Sequence, residues 1–134
     1  MILVFDAAQE KLFVYRDVPI SLSPVEWSAA NNVQFGFKPW PPGRYRFDQQ
    51  VSHADDAPDS AYGSFGSLRF IVPGRTGMEI HSGRATIPDG LQRVGFEHCT
   101  FGCIRTIDAA MKDLVLSIAS DPIEWLVVVG KSAT

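Results

Sequence analysis

The sequence has few of the features that mark specialised protein classes. Only two of its 134 residues are cysteines, which is too few for a disulfide scaffold. Twelve basic residues stand against 15 acidic ones, for a formal net charge of -3, so the chain lacks the basic surplus of a nucleic-acid-binding domain. Its apolar runs are short, as in 125–129, whereas a membrane-spanning helix needs about 20 apolar residues. No internal repeat is present.

What remains is an ordinary globular composition, 46% hydrophobic and 20% charged, at a length typical of one domain. We therefore predict a single domain over residues 1–134. The first residues do not resemble a signal peptide, because Asp6 interrupts the apolar start and no basic residue precedes it. We expect the chain to be made in the cytoplasm and not to use the general export route.

Runs of β-branched and aromatic residues between turn signals predict a mainly β (α+β) domain with six or seven strands and one covering helix. The predicted strands are 2–5, 11–16, 44–47, 67–72, 77–81 and 123–129. The predicted helix covers 107–118 with Thr106 as its N-cap, and a short helical turn is expected after Ser23. Polar loops are expected at 49–63 and 85–95.

Cys103 is the residue on which a chemical function is most easily built. Gly102 precedes it and permits a sharp turn of the backbone close to a substrate. The predicted helix follows it, and a helix N-terminus would lower the thiol pKa and stabilise an oxyanion. His81 ends a predicted strand, before Ser82, and histidine titrates near neutral pH. We predict Cys103 as a nucleophile and His81 as its base.

Other readings of these residues stay open on spacing alone. Cys103 would also suit a packed core position, as buried cysteines usually do. His81, His98, Cys99 and Cys103 are all zinc-ligand types, although their spacing is not a usual zinc pattern. A disulfide between Cys99 and Cys103 would act as a redox lock.

Two further features have a structural and a functional interpretation. The acidic positions 55, 56 and 59 would suit a cation, but a solvated loop is the commoner arrangement. Trp27 and Trp40 flank a proline-rich turn and would line a groove or, more often, join the core.

Three segments resemble the signature of the YkuD-type L,D-transpeptidases. They are GMEIHSG at 77–83, TFGCIR at 100–105 and, upstream, PPGRY at 41–45. That family's pattern is a histidine, a spacer, then Ser/Thr-His-Gly-Cys, an apolar residue and Arg or Asn. The likeness covers about residues 31–114.

The resemblance implies an L,D-transpeptidase-like β-sandwich or barrel in which Cys103 attacks an amide of a peptidoglycan stem peptide and forms a thioester. His81 would exchange the proton, the carbonyl of Ser82 would hold the imidazole, and the backbone near Gly102 would form the oxyanion hole. No cofactor or metal is implied. An amine acceptor would give transpeptidation or D-amino-acid exchange, and water would give carboxypeptidase cleavage.

The resemblance also implies residues on the substrate side. Arg105 would steady the active-site loop or meet a substrate carboxylate, and Thr100 and His98 would line the pocket. Arg84 follows the His81 segment directly, and this position suits a pocket residue and a surface charge equally. The family's second histidine is replaced by Phe101, and His98 would be its substitute.

In its small size and its lack of a recognisable leader, the chain resembles compact L,D-transpeptidase-like toxins delivered by type VI secretion. The expected partners are then stem peptides, together with an immunity protein or secretion machinery, and no nucleic acid. The site of action would be the periplasm or cell wall, including that of a target cell. The alternative is a non-catalytic wall-binding or interaction module on the same fold.

Overall fold

A computed structural model describes residues 1–31, 33, 36–84 and 102–131. Within these ranges the chain forms eight strands and one helix. In chain order they are β1 (Ile2–Asp6), β2 (Lys11–Tyr15), β3 (Val25–Ala30), β4 (Gly43–Val51), β5 (Ser67–Phe70), β6 (Glu79–His81), β7 (Ile104–Thr106), α1 (Asp108–Ser117) and β8 (Trp125–Val129). The mainly β prediction with one helix is confirmed.

The strands close into a barrel in the order β1-β2-β3-β7-β6-β5-β4-β8. Most neighbouring pairs are antiparallel, but β6 runs parallel to β7, and β8 runs parallel to β1 and closes the ring. The β6–β7 pairing brings together two segments that the sequence separates by more than 20 residues. These are the segments that carry His81 and Cys103.

In β1, β2 and β8, buried residues that form the barrel interior alternate strictly with more exposed ones. In β1 and β2, Leu3, Phe5, Leu12 and Val14 are at most 1% exposed, while their neighbours in the strands face outward. Burial of a side chain of this size contributes about 1.5 to 3 kcal/mol. α1 adds the buried Ala110, Met111 and Leu114 to the same interior.

The helical turn expected after Ser23 is wrong, because β3 occupies Val25–Ala30 instead. This strand pairs on one side with β2, where Trp27 lies opposite Leu12, and on the other with β7, where Ala29 lies opposite Thr106. Hydrogen bonding to two neighbours outweighs the local capping signal.

The prediction for the helix N-terminus is also wrong in detail. Thr106 lies in β7, where its hydroxyl donates to the Ser28 carbonyl at 2.7 Å, and Ile107 is the N-cap without a side-chain cap bond. β7 therefore separates Cys103 from α1. In addition, β4 extends to Val51, so the first residues assigned to the polar loop belong to a strand.

No helix within the described ranges combines the length and apolar character of a transmembrane span.

Candidate active site

Strands β5, β6 and β7 present one apolar and one polar face. Paired residues share a face, and the row formed by Leu68, Ile80 and Ile104 is fully buried in the core. The alternate positions form the polar face. It carries Ser67 and Arg69 from β5, Glu79 and His81 from β6, and Arg105 from β7.

His81 is 2% exposed, and its ring is fixed by a local contact. Nδ1 lies 2.7 Å from the Ser82 carbonyl oxygen, the contact that the sequence resemblance implies. A carbonyl only accepts hydrogen bonds, so Nδ1 carries the proton and Nε2 carries the lone pair of the neutral ring. Burial lowers the pKa of His81 to about 4. The hydrogen bond to Ser82 raises this pKa, and the positive charges of Arg105 and His53 lower it further. Near neutral pH the ring is therefore an uncharged base.

Cys103 directly precedes β7 and is partly buried. Its Sγ donates to the Gly77 carbonyl oxygen at 3.5 Å, and the charges of Glu79 and Arg69 act on it. Burial raises the pKa of the thiol from 9.0 to about 11, outweighing the Glu79 backbone N–H and the nearby arginines, which lower it. The expected thiolate stabilised by a helix N-terminus is wrong, because β7 stands between the thiol and α1.

The backbone at the nucleophile is held by two buried side chains that the sequence reasoning did not assign to the site. Asn31 Nδ2 donates to the carbonyls of Gly102 and Cys103, at 3.0 and 3.1 Å. Trp40 Nε1 donates to the Gly102 carbonyl at 2.7 Å. Trp40 is 3% exposed and joins the core, as its commoner interpretation held.

Gly102 has a φ of +141°, a conformation that residues with a Cβ rarely adopt. A Cβ at this position would lie 3.2 Å from Met78 Sδ and 3.2 Å from Phe37 Cβ. Glycine is thus required here both by the backbone and by the close approach of its neighbours.

The segment 52–66 places two aromatic rings against the polar face. Tyr62 packs edge-on against His81 with ring centroids 4.9 Å apart, and His53 stacks on Tyr62 at 3.9 Å. His53 Nε2 lies 2.8 Å from Ser67 Oγ, which is in register with His81. Burial, with the negative charges of Cys103, Glu79 and Asp55, raises the pKa of the Tyr62 phenol.

Asp108, the first residue of α1, connects segment 52–66 to Ser82, the residue after His81. Its carboxylate accepts from Ser82 Oγ and from the N–H and hydroxyl of Ser64, the latter at 3.0 Å. Gly63 passes so close that a Cβ there would lie 2.0 Å from Ser82 Oγ. Segment 52–66 is therefore held directly against Ser82.

The predicted substrate-side arginines lie in different places. Arg105 is 3% exposed in β7, between His81 and Ala30, which suits support of the site better than contact with a substrate carboxylate. Arg84 is half-buried with a φ of +56°, and its N–H donates to the Ser60 carbonyl at 3.0 Å. Its Nε is buried and has no hydrogen-bond partner within the described ranges.

Several predicted positions lie outside the described residues. They are His98 and Thr100 on the substrate side, together with Cys99, Phe101 and the 85–95 loop. The alternatives of a Cys99–Cys103 disulfide and of a zinc site therefore stay open. Within the described ranges no three metal-binding side chains come together, and the acidic positions 55, 56 and 59 form no cation site there.

Among the site residues that sequence reasoning missed, Glu79 had a visible signal, because it lies two positions before His81 in a strand and so shares its face. Glu79 is 4% exposed and pairs with Arg69, whose Nε and Nη2 lie 2.9 and 2.8 Å from Glu79 Oε2. Tyr62, His53 and Asn31 carried no such signal, since only the folded chain brings them to the site.

No protein-family model matches the sequence, and no protein of curated function matches it significantly. Solved structures do match. Bd1075 of Bdellovibrio bacteriovorus is 20% identical with a TM-score of 0.66, covering 96% of this chain and 47% of its own. L,D-transpeptidase 1 of Mycobacterium tuberculosis is 13% identical with a TM-score of 0.55, covering 96% and 60%.

The LD transpeptidase LdtMt1, solved in complex with imipenem, is 15% identical with a TM-score of 0.57, covering 96% of this chain and 58% of its own. The chain thus spans about half to three fifths of the length of the structures it matches. At these identities the likeness establishes the fold, and it agrees with the barrel and the single described helix. The chain therefore has the mainly β fold of the L,D-transpeptidases.

Proposed function

We propose that this chain is a cysteine acyltransferase that acts on peptidoglycan stem peptides through a thioester on Cys103. One observation carries the proposal. β6, which ends at His81, pairs in parallel with β7, which begins directly after Cys103, and the Ser82 carbonyl fixes the imidazole so that Nε2 is the basic nitrogen. A general base oriented in this way beside a thiol is the arrangement that thiol acyl transfer needs.

The two pKa values favour attack by a neutral pair. Near pH 7 both the thiol and the imidazole are uncharged. His81 Nε2 takes the thiol proton as Sγ bonds to the substrate carbonyl carbon, and the imidazolium returns the proton to the departing amine. The thioester that remains is released by an amine or by water, and the carbonyl bond to sulfur breaks in that step.

Digestion of purified muropeptides with mass analysis tests the proposal. Wild-type protein is expected to remove a terminal D-alanine, exchange it for another D-amino acid, or join two stems. Cys103→Ala is expected to do none of these, with an unchanged melting temperature as the control for folding. Unaltered muropeptides with the wild-type protein would refute the proposal.

A carbapenem offers a second test, because an L,D-transpeptidase of the same fold is solved in complex with imipenem. Imipenem is expected to add its mass to the wild-type protein at Cys103 and to leave Cys103→Ala unmodified. Peptide-level mass analysis separates this position from Cys99. His81→Gln is expected to slow the addition about 10²- to 10⁴-fold, the usual worth of a general base.

The alternative of a non-catalytic wall-binding module is favoured by one observation, the raised pKa of Cys103. Such a module would bind purified sacculi without covalent modification by any acyl donor. Slow alkylation of the thiol would not distinguish the two functions, because the neutral thiol predicts slow alkylation for both. Acyl transfer is the deciding measurement.

The place of action follows from the proposed substrate, which lies outside the inner membrane. Within this proposal the protein is an antibacterial toxin that is delivered to the wall of a target cell and neutralised in its producer by an immunity partner. The sequence resemblance alone carries this part. Expression directed to the periplasm of a test bacterium should cause swelling or lysis that depends on Cys103, while cytoplasmic expression should be harmless. Equal growth in both cases would refute it.

A further inference from the structure

Two buried side chains converge on the carbonyl groups around the nucleophile. Asn31 Nδ2 donates to both the Gly102 and Cys103 carbonyls, and Trp40 Nε1 donates to the Gly102 carbonyl. Successive carbonyls in a regular strand point in alternate directions, so two that turn to one amide mark a special backbone conformation. The φ of +141° at Gly102 is a second departure from regular strand geometry, because it turns the peptide that precedes Gly102.

The two donors are themselves locked in place. Asn31 Oδ1 accepts from the Trp40 N–H at 2.8 Å, and Asn31 is 2% exposed. The orientation of the amide is settled by its partners, because a flipped amide would lose all three bonds. The Trp40 ring packs edge-on against Tyr45 and Phe70, at 5.4 and 6.2 Å.

Peptide geometry gives this arrangement a chemical consequence. The Gly102–Cys103 peptide is trans, so the Gly102 carbonyl and the Cys103 N–H point in opposite directions. Fixing the carbonyl on Asn31 and Trp40 therefore fixes the N–H on the other side. In acyl transfer the N–H of the nucleophilic residue commonly stabilises the oxyanion, where a correctly placed donor is worth about 10²- to 10³-fold in rate.

We propose that Asn31 and Trp40 are positioning residues, a carbonyl clamp that holds the Cys103 N–H as an oxyanion donor. The proposal rests on the acyl-transfer function above and adds how the donor is aimed. Among the described residues, the side-chain N–H groups of the clamp donate to backbone carbonyls, so the clamp acts through the direction of the Cys103 N–H.

Two reagents separate these effects. p-Nitrophenyl acetate acylates the thiol through a tetrahedral oxyanion, whereas iodoacetamide alkylates it by displacement at carbon with no oxyanion. Both rates are measured at pH 9, where enough thiolate forms, on the full chain and by mass analysis of the Cys103 peptide. The ratio of the acylation rate to the alkylation rate is the readout.

Trp40→Phe removes the indole N–H and keeps an aromatic ring in the core. Trp27→Phe is the matched control, because Trp27 Nε1 is buried and makes no hydrogen bond to any of the described residues. Trp40→Phe is expected to lower the rate ratio about tenfold or more, and Trp27→Phe to change it less than about twofold. Asn31→Asp, which replaces the donor NH2 by an acceptor in the same shape, is expected to lower the ratio further.

Circular dichroism melts confirm that each variant is folded, and Asn31→Asp keeps the test available if Trp40→Phe is not. An unchanged ratio in folded Trp40→Phe and Asn31→Asp, including equal loss of both rates, would overturn the clamp. Wild-type protein that accepts acetyl but neither muropeptide nor imipenem would refute the proposed function and leave the clamp standing. Wild-type protein that is alkylated but never acylated would overturn both.

Discussion

The pH dependence of Cys103 reactivity is the sharpest prediction from the structure. Burial raises the thiol pKa to about 11, compared with an ordinary 9.0. At pH 7 the thiolate fraction is then about 10⁻⁴, against about 10⁻² for an ordinary thiol. A thiolate of higher pKa is also more nucleophilic, by roughly tenfold for two pKa units. We therefore expect alkylation near pH 7 to be about tenfold slower than that of a model peptide thiol.

The assay is iodoacetamide labelling from pH 6 to pH 10, followed at the Cys103 peptide by mass analysis. The logarithm of the rate is expected to rise by about one per pH unit over this range without a plateau. His81→Gln should leave this profile almost unchanged, because the neutral imidazole contributes no charge to the resting thiol.

The same His81→Gln variant should lose acyl transfer, so the substitution would lower the acylation rate and leave the alkylation rate almost unchanged. A plateau in the wild-type alkylation rate between pH 6 and pH 8, absent from His81→Gln, would refute the reasoning. It would mean that the resting site holds a thiolate–imidazolium pair. A free-cysteine peptide measured in parallel corrects for the pH dependence of the reagent.

Further predictions concern stability and the segment over the site. The pKa of His81 falls to about 4 on folding from an ordinary 6.5, so the unfolded chain binds the extra proton between these values and stability rises with pH there. Urea unfolding should show about 3 kcal/mol lost from pH 7 to pH 4, and a His81→Gln protein with the same slope would contradict this. Gly102→Ala should lower the free energy of unfolding by about 1 to 3 kcal/mol and should reduce activity in the muropeptide assay. Gly74 also has a positive φ but has open space around it, so Gly74→Ala should keep full activity in that assay. Asp108→Asn should speed amide hydrogen exchange at Ser64, and unchanged exchange there would show that the carboxylate does not hold segment 52–66.

Local patterns were sufficient for much of the barrel. Alternation and turn signals located β1, the turn after it and β2, and the predicted strands β4, β5, β6 and β8 differ from the structure mainly at their ends. β7 has no counterpart among the predicted strands. The helical turn predicted after Ser23 was wrong because a capping signal is local, whereas β3 pairs with β2 and with β7, which is distant in the sequence.

The site divides in the same way. The motifs around His81 and Cys103 predict the reacting pair, and the Ser82 carbonyl contact is where the resemblance puts it. Their ionisation states could not be predicted, because burial in the folded chain is the largest cause of both pKa shifts. The catalytic roles themselves stay predictions.

The sequence by itself determined the alternation that builds a β barrel, the glycine at position 102 and the residue types able to perform thiol acyl transfer. Only the tertiary structure decided which side chains surround that thiol. Asn31, Trp40, Tyr62 and Asp108 reach the site from separate strands, loops and a helix. No local pattern predicts these contacts, because they depend on strand register and on closure of the barrel. Register and closure in turn depend on the folding of the whole chain.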